Sequence, residues 1–410
     1  MNKKNRRAAR LLLSLCAAGL ARADAATLET SACFEMTKAP ATGIPIYILK
    51  GSPDGHQQVL YYTQDMMSRD GRHLWFAHVT NPGTPEARKA LGVVDFEKDT
   101  KTLFPEAAFE GESPYVDADT GCVYYCGPGS LAKGETFPVY VLEPRPGARA
   151  RVVVAIPRFE EGRPRQVVTH FTMNASRTAL GFDSGHYPKS EKTYYGTIAL
   201  DGSPAKVWGT FGRRMDHAQM SPARDDVMLI AQDGFVREGA GDRVKIANRM
   251  WLAYADGRQE PLFPGKQGVA HYHEWWDPGG EYIWFVDTQG ASTAGRPGTA
   301  TVRLRDRSVL LVWPGAVGHS HSSANGRYLV GDHKTGRWTR QTADVRVSAY
   351  DAKTKRSHEI TGGMPPPRWF YHTHPHPQFD CGDKYILFTC TLAGYTSVGA
   401  VRSADVFGRP

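Results

Sequence analysis

The sequence repeats itself, and that limits what it can fold into. At intervals of roughly 50 residues one pattern returns: a polar or aromatic residue, a short approach, a turn, then a strand rich in aromatic and β-branched residues. The copies begin at Gln64, Ser113, His170, His217, His273, His319 and His376. Seven short-strand units with no long helical pattern between them predict an all-β chain folded as a seven-bladed β-propeller. Only about 20 residues follow the last copy, too few for a four-stranded blade. Strands from residues 27–60, such as Ile44 to Leu49, are therefore expected to complete that blade and close the ring. The reading is one domain over 26–410, with no linker and no low-complexity segment.

Residues 1–25 stand apart as a secretory signal peptide. Lys3, Lys4, Arg6, Arg7 and Arg10 precede the apolar run from Leu11 to Leu20, and Ala23-Asp24-Ala25 is an A-x-A cleavage site. The run is too short to span a bilayer, and no later stretch is apolar enough to do so. The expected location is periplasmic or secreted. The formal charge of +8 comes mostly from this leader. Removing its six basic residues and one acid leaves +3, an ordinary surface that argues against a nucleic-acid partner. The remaining cysteines, Cys33, Cys122, Cys126, Cys381 and Cys390, are odd in number, and their spacing forces no disulfide framework.

In a propeller the innermost strand of each blade runs along the central channel. A column of residues at its start lines one mouth of that channel. Five of the seven column positions are histidine. A buried histidine bridging neighbouring blades explains one or two of them, and for His170 and His217 that reading stands level with a role in substrate binding. It does not explain the further His271, His321, His372 and His374 beside the column. The densest stretch runs from Trp369 to Pro377, where His372, His374 and His376 alternate. Pro375 and Pro377 exclude a helix, and an extended backbone would put the three imidazoles on one face. Neutral imidazole is the commonest transition-metal ligand, so this is a candidate metal site.

Five segments in order resemble the oligogalacturonate lyases, best from about His217 onward. They are His217-Ala-Gln-Met-Ser-Pro, Asn248-Arg249-Met250-Trp251-Leu252, His273-Glu274-Trp275-Trp276, Gly318-His319 followed by Val330-Gly331-Asp332, and His374-Pro375-His376-Pro377. The resemblance implies a seven-bladed propeller that uses a metal, typically manganese, and cleaves 4-linked uronates by β-elimination. By the same resemblance His273 is the base, Arg249 is the catalytic arginine, and His319, His374 and His376 are metal ligands. The partner is then a uronate-containing oligo- or polysaccharide, and the sequence carries no signal for oligomeric state. Propeller lyases of other uronate polymers, such as ulvan, are a neighbouring template.

The chemistry fits these residue types. Removing the C5 proton of a uronate builds charge on its carboxylate, which a divalent cation can take up. Neutral His273 has a suitable pKa for a base, and Arg249 offers a fixed guanidinium fork. Where the family carries a glutamine ligand, this chain has Tyr371, a poor ligand because a phenol ionises only near pH ~10. His321 is the expected replacement and His372 the second choice. An all-imidazole set favours later first-row metals, zinc included, more than an oxygen-containing set does. His170, His217, Trp369 and Tyr371 are expected to contact substrate, whereas Trp275 and Trp276 are expected to pack between blades. A non-catalytic glycan- or protein-binding propeller and a metal-dependent hydrolase are the competing readings.

Overall fold

The repeat marks the first two strands of a blade, except in the first blade, whose inner strand Gly55–Gln58 precedes the copy at Gln64. In the fifth blade His271–Trp276 pairs antiparallel with Tyr282–Asp287, and Gly298–Arg303 and Val309–Pro314 follow outward. Seven such sheets form the seven-bladed propeller that the repeat predicts. The computed structural model describes residues 25–408 except 53–54, 64, 83, 110, 112–113, 128–135, 158, 160–165, 187–191, 233–236, 239–241, 244–247, 265–270, 316, 334–344 and 366–373. The inner strands are Gly55–Gln58, Tyr115–Val116, Gln166–Met173, Asp216–Met220, His271–Trp276, Ser320–Ser322 and Gln378–Phe379. Those of neighbouring blades touch, as Gln166–Met173 does Asp216–Met220 and Ser320–Ser322 does Gln378–Phe379.

The second strand of a blade is covered on both faces by its neighbours. Such strands read as unbroken apolar runs rather than alternating ones. Val227–Ala231 (VMLIA) and Tyr385–Cys390 (YILFTC) are buried throughout. Polar turns clasp one blade to the next: the Ala324 N–H donates to the Asp383 carboxylate, and the Ser176 N–H to Asp225.

Ring closure follows the expectation in most respects. The seventh blade takes Gln378–Phe379, Tyr385–Cys390 and Ser397–Arg402 from the C-terminal end. Pro45–Leu49 and Phe34–Lys38 from the N-terminal end continue the same sheet. Gly55–Gln58 departs from the expectation, because it pairs with His73–Thr80 and opens the first blade instead. The only helix among the described residues is Ser403–Phe407, and no helix there is long and apolar enough to cross a membrane.

Candidate functional site

The backbone bends where the histidine column stands. Strand pairing slips between Val168 and Phe171, between Asp216 and Gln219, and between Tyr272 and Trp275. His217 and His273 sit in two of these bulges with left-handed backbones, φ 58° and 56°, and His376 has φ 48°. The left-handed region costs a residue with a side chain on the order of 1 kcal/mol, and histidine is among the residues that enter it most readily. Three such residues at one mouth mark a place where local strain aims side chains. His376 therefore departs from the regular extended run expected between Pro375 and Pro377.

Four imidazoles converge there. The His319 ring centroid lies 3.9 Å from that of His273, 4.1 Å from His376 and 4.9 Å from His374. Two buried tyrosines pack among them. Tyr61 touches the rings of His170, His217 and His376 at 5.1–5.2 Å, and Tyr62 those of His319 and His376 at 5.5 and 6.0 Å.

Asp332 sets the tautomer of His319. Its Oδ2 is 3.0 Å from His319 Nδ1, and its Oδ1 accepts the His319 backbone N–H at 2.8 Å. A Cβ on Gly318 would stand 2.3 Å from that Oδ1, so the carboxylate fits only beside a glycine. With its Nδ1 proton held by Asp332, His319 carries its lone pair on Nε2, 3.1 Å from His376 Nε2. Two imidazole nitrogens bound at ~2.1 Å to one cation stand roughly 3.0–3.4 Å apart, so the spacing and donor chemistry fit a divalent transition metal. His319, Asp332 and His374 each offer an atom within 4.8 Å of the others. Because Asp332 lies on the Nδ1 side, it fits the part of a carboxylate that orients a ligating histidine. His273 is fixed in a similar way: its Nδ1 donates to Gly318 O at 2.5 Å, which leaves the lone pair on Nε2.

Arg249 is held in a buried ion pair. Its side chain is 3% exposed and that of Glu274 is 0%. Nε donates to Glu274 Oε2 at 3.0 Å, Nη2 lies 3.4 Å from Oε1, and Nη1 donates to Gln232 O at 3.4 Å. The guanidinium fork is thus docked on a carboxylate. His217 Nδ1 joins the pair, 3.4 Å from Glu274 Oε1. Burial would raise the Glu274 carboxyl, but Arg249 and His217 hold it at about 2. Burial would lower His217, but Asp216 and Glu274 bring its ring up to about 9.

Two expectations need correction. His321 does not join the cluster as fourth ligand. The regular strand starts only at Ser320, so alternation does not carry its side chain to the side of His319. Its Nδ1 accepts the Phe379 N–H at 3.2 Å, and its ring lies against Trp275 and Phe379. His170 is fully buried behind Tyr61 and His217, with Nδ1 3.0 Å from Thr169 Oγ1, and has no surface to offer a substrate. His271, between Phe263 and Phe285, is likewise a packing residue. Trp275 and Trp276 pack as expected, their indole N–H groups donating to Ser322 Oγ and Gln219 O. Gln64, Ser113, Trp369, Tyr371 and His372 lie outside the described residues. Cys33, Cys122, Cys126, Cys381 and Cys390 are free thiols.

Sequence reasoning gave no role to Asp332, Glu274, Tyr61 or Tyr62. The first two carried a signal, as acids in otherwise apolar strand segments. The tyrosines, outside the repeat, carried none. A cavity of about 650 Å³ bordered by Leu28, Arg72, Phe96 and Tyr385 lies away from the histidines.

No protein-family profile matches the chain, and no curated protein sequence does. Solved structures do match. An oligogalacturonate lyase in complex with manganese superposes with a TM-score of 0.69 at 19% identity, covering 90% of this chain and 96% of that one. An oligogalacturonate lyase from Vibrio parahaemolyticus gives 0.68 at 16% identity with the same coverage. The β-propeller domain of the Trilobed protease from Pyrococcus furiosus gives 0.53 at 10% identity, covering 84% and 95%. The chain shares the fold of these propellers and resembles the two lyases over most of its length.

Proposed function

We propose that the chain is an exported lyase that cleaves 4-linked uronate oligo- or polysaccharides by metal-assisted β-elimination. One observation carries this reading. His273 and His319 lie ring to ring, each with Nδ1 engaged and its lone pair on Nε2. A nitrogen ready to take a proton beside one ready to hold a cation is what abstraction next to a carboxylate requires. The fold shared with oligogalacturonate lyases supports the reading, and the leader at 1–25 supports export.

His319, His374 and His376 would hold a divalent ion; manganese follows from the resemblance, and zinc suits an imidazole-rich set equally well. When bound, the ion supplies a charge sink for the substrate carboxylate. His273 Nε2 takes the C5 proton. The C5–H electron pair becomes the C4–C5 double bond, and the C4–O4 bond breaks. Gly318 O, accepting the Nδ1–H, stabilises the imidazolium that forms on His273. Arg249, locked by Glu274, contributes a positive field that needs no reorganisation.

The test is absorbance at roughly 235 nm on a panel of uronate oligomers and polymers, since only elimination makes a conjugated unsaturated uronate. His273→Ala is expected to abolish the signal while folding and metal content persist. Arg249→Lys is expected to be severely impaired, because an ammonium cannot dock both oxygens of Glu274. Cleavage without the chromophore would replace elimination by hydrolysis, and no cleavage of any uronate would end the lyase reading.

A further inference from the structure

Elimination from a sugar needs one more group. The departing O4 of a glycosidic linkage is a strong base, and its release is fast only if a proton reaches it as the bond breaks. His273, once it has taken the C5 proton, is one source; a second, already protonated group is another. From the geometry we infer that His217 is that second group and gives its proton to O4. This rests on the lyase reading above.

The environment of His217 is the reverse of that of His273. His273 faces a backbone carbonyl through Nδ1. His217 stands one blade back in the same column, in the same kind of left-handed bulge. Its Nδ1 lies 3.4 Å from Glu274 Oε1, and its Nε2 3.8 Å from Asp216 Oδ1. Asp183 also neighbours it, accepting the Ala218 N–H at 2.9 Å, while Arg249 is the cation beside it, with Nη2 3.3 Å from Nδ1. The rings of Tyr61 and His170 also pack against it, and its backbone N–H donates to Thr169 Oγ1 at 3.3 Å. Three carboxylates, with Arg249 beside the ring and Arg214 Nη2 3.7 Å from Asp216 Oδ2, favour the imidazolium, and the raised pKa agrees. The ring keeps 14% exposure and borders Tyr61, whose other side meets His376. Two histidines of one mouth thus sit in opposite surroundings, one against a backbone carbonyl and one among carboxylates, an arrangement suited to a divided base and acid.

The step balances. The C5 proton goes to His273 Nε2, and the C5–H pair forms the C4–C5 bond. The C4–O4 pair stays on O4, which takes the Nε2 proton of His217. His217 is left neutral with its Nδ1–H on Glu274, and solvent restores both rings. Glu274 is a positioning residue here, acting on substrate only through His217 and Arg249.

The experiment compares leaving groups in the full mature protein supplied with manganese. One substrate is a 4-linked galacturonate oligomer. The other is a uronoside carrying 4-nitrophenoxy at C4, which departs without a proton. His217→Gln is expected to lose about 10²–10⁴-fold in kcat on the oligomer and less than about tenfold on the nitrophenyl ether. His273→Ala should lose both. An equal loss on the two substrates would reduce His217 to a structural or binding role, and an unchanged rate on the oligomer would remove it from the reaction. Either outcome overturns this proposal and leaves the lyase reading intact, whereas a wild-type protein inert on both ends the two together. NMR titration of histidine-labelled protein gives an answer independent of turnover. The signal lost in His217→Gln should titrate near 9 in the wild type, and a value at or below the ordinary 6.5 would also overturn the assignment.

Discussion

His319 and His321 stand two residues apart on the inner edge of one blade and meet different surroundings. His319 lies against a carboxylate and three other imidazoles. His321 lies among aromatic rings and accepts one backbone N–H. The same division runs around the ring. The starts of the inner strands carry bulges, left-handed histidines and buried acids. Their far ends carry Trp275, Trp276, His321 and Phe379 around a cavity of about 250 Å³. Residue type alone therefore does not assign a role in this fold; position along the inner strand does. The first end gathers left-handed histidines around the Arg249–Glu274 pair, and the second packs aromatic rings beside a cavity that Asp65, Arg69, Asp380 and Asp383 also line.

The sharpest way to break that contrast is at the charged end. Glu274→Ala takes the carboxylate away from the buried Arg249 guanidinium, and the expected loss is about 3–5 kcal/mol of unfolding free energy, measured by urea denaturation. A loss below about 1 kcal/mol would mean that the pair does not organise this mouth.

The two ends should also fail in opposite directions of pH. His217 has a folded pKa of about 9, above the ordinary 6.5. Its contribution is complete below pH 6.5 and disappears as pH rises through 9. His321 is pushed by burial down to about 4. Its contribution is present above pH 6.5 and is lost as pH falls toward 4. Each shift corresponds to roughly 3 kcal/mol. The difference between wild type and each histidine variant across pH 4–10 isolates the two contributions, because Asp65 and Asp183, raised by burial to about 6, act against His321 on the acid side. His217→Gln should flatten the alkaline limb only, and a change in the acid limb instead would reverse the assignment.

Asp332→Asn tests the proposed metal site more gently. An amide cannot hold the Nδ1 proton of His319 as firmly, and the expected result is a 10–100-fold weaker affinity for manganese or zinc by calorimetry. Unchanged affinity would make Asp332 a packing residue like those at the other end.

Much of this was legible in the sequence because burial on both faces writes second strands as unbroken apolar runs. The arithmetic of the last blade then demanded strands from the N-terminal end. The histidine column was legible for the same reason, since a repeat fixes equivalent positions. What alternation could not supply was direction. A bulge with φ near 55° turns His217 and His273 away from where a regular strand would send them. Asp332 was hidden differently. It lies on the strand beside His319, where its N–H donates to His319 O across a hairpin turning at Asn325-Gly326. Counting that antiparallel register from the turn would have paired the two. His321 was misread because the count of two from His319 crosses the point where the strand begins.

The smallest expected effect comes from His321 and bears most directly on the comparison. His321→Phe keeps a ring against Trp275 and removes the acceptor of the Phe379 N–H. A backbone donor losing its partner in a buried setting costs about 1–3 kcal/mol, and the neighbouring cavity lets water take up part of that, so the expected loss is about 1 kcal/mol. The acid-side loss that His321 contributes should disappear, while that of His73 and of Glu274 remains. Metal content and affinity should match the wild type, since none of the nitrogens converging on His319 comes from this side chain. A variant that loses its metal while its stability holds would move His321 into the coordination sphere, and the line between the two ends of the channel would have to be redrawn.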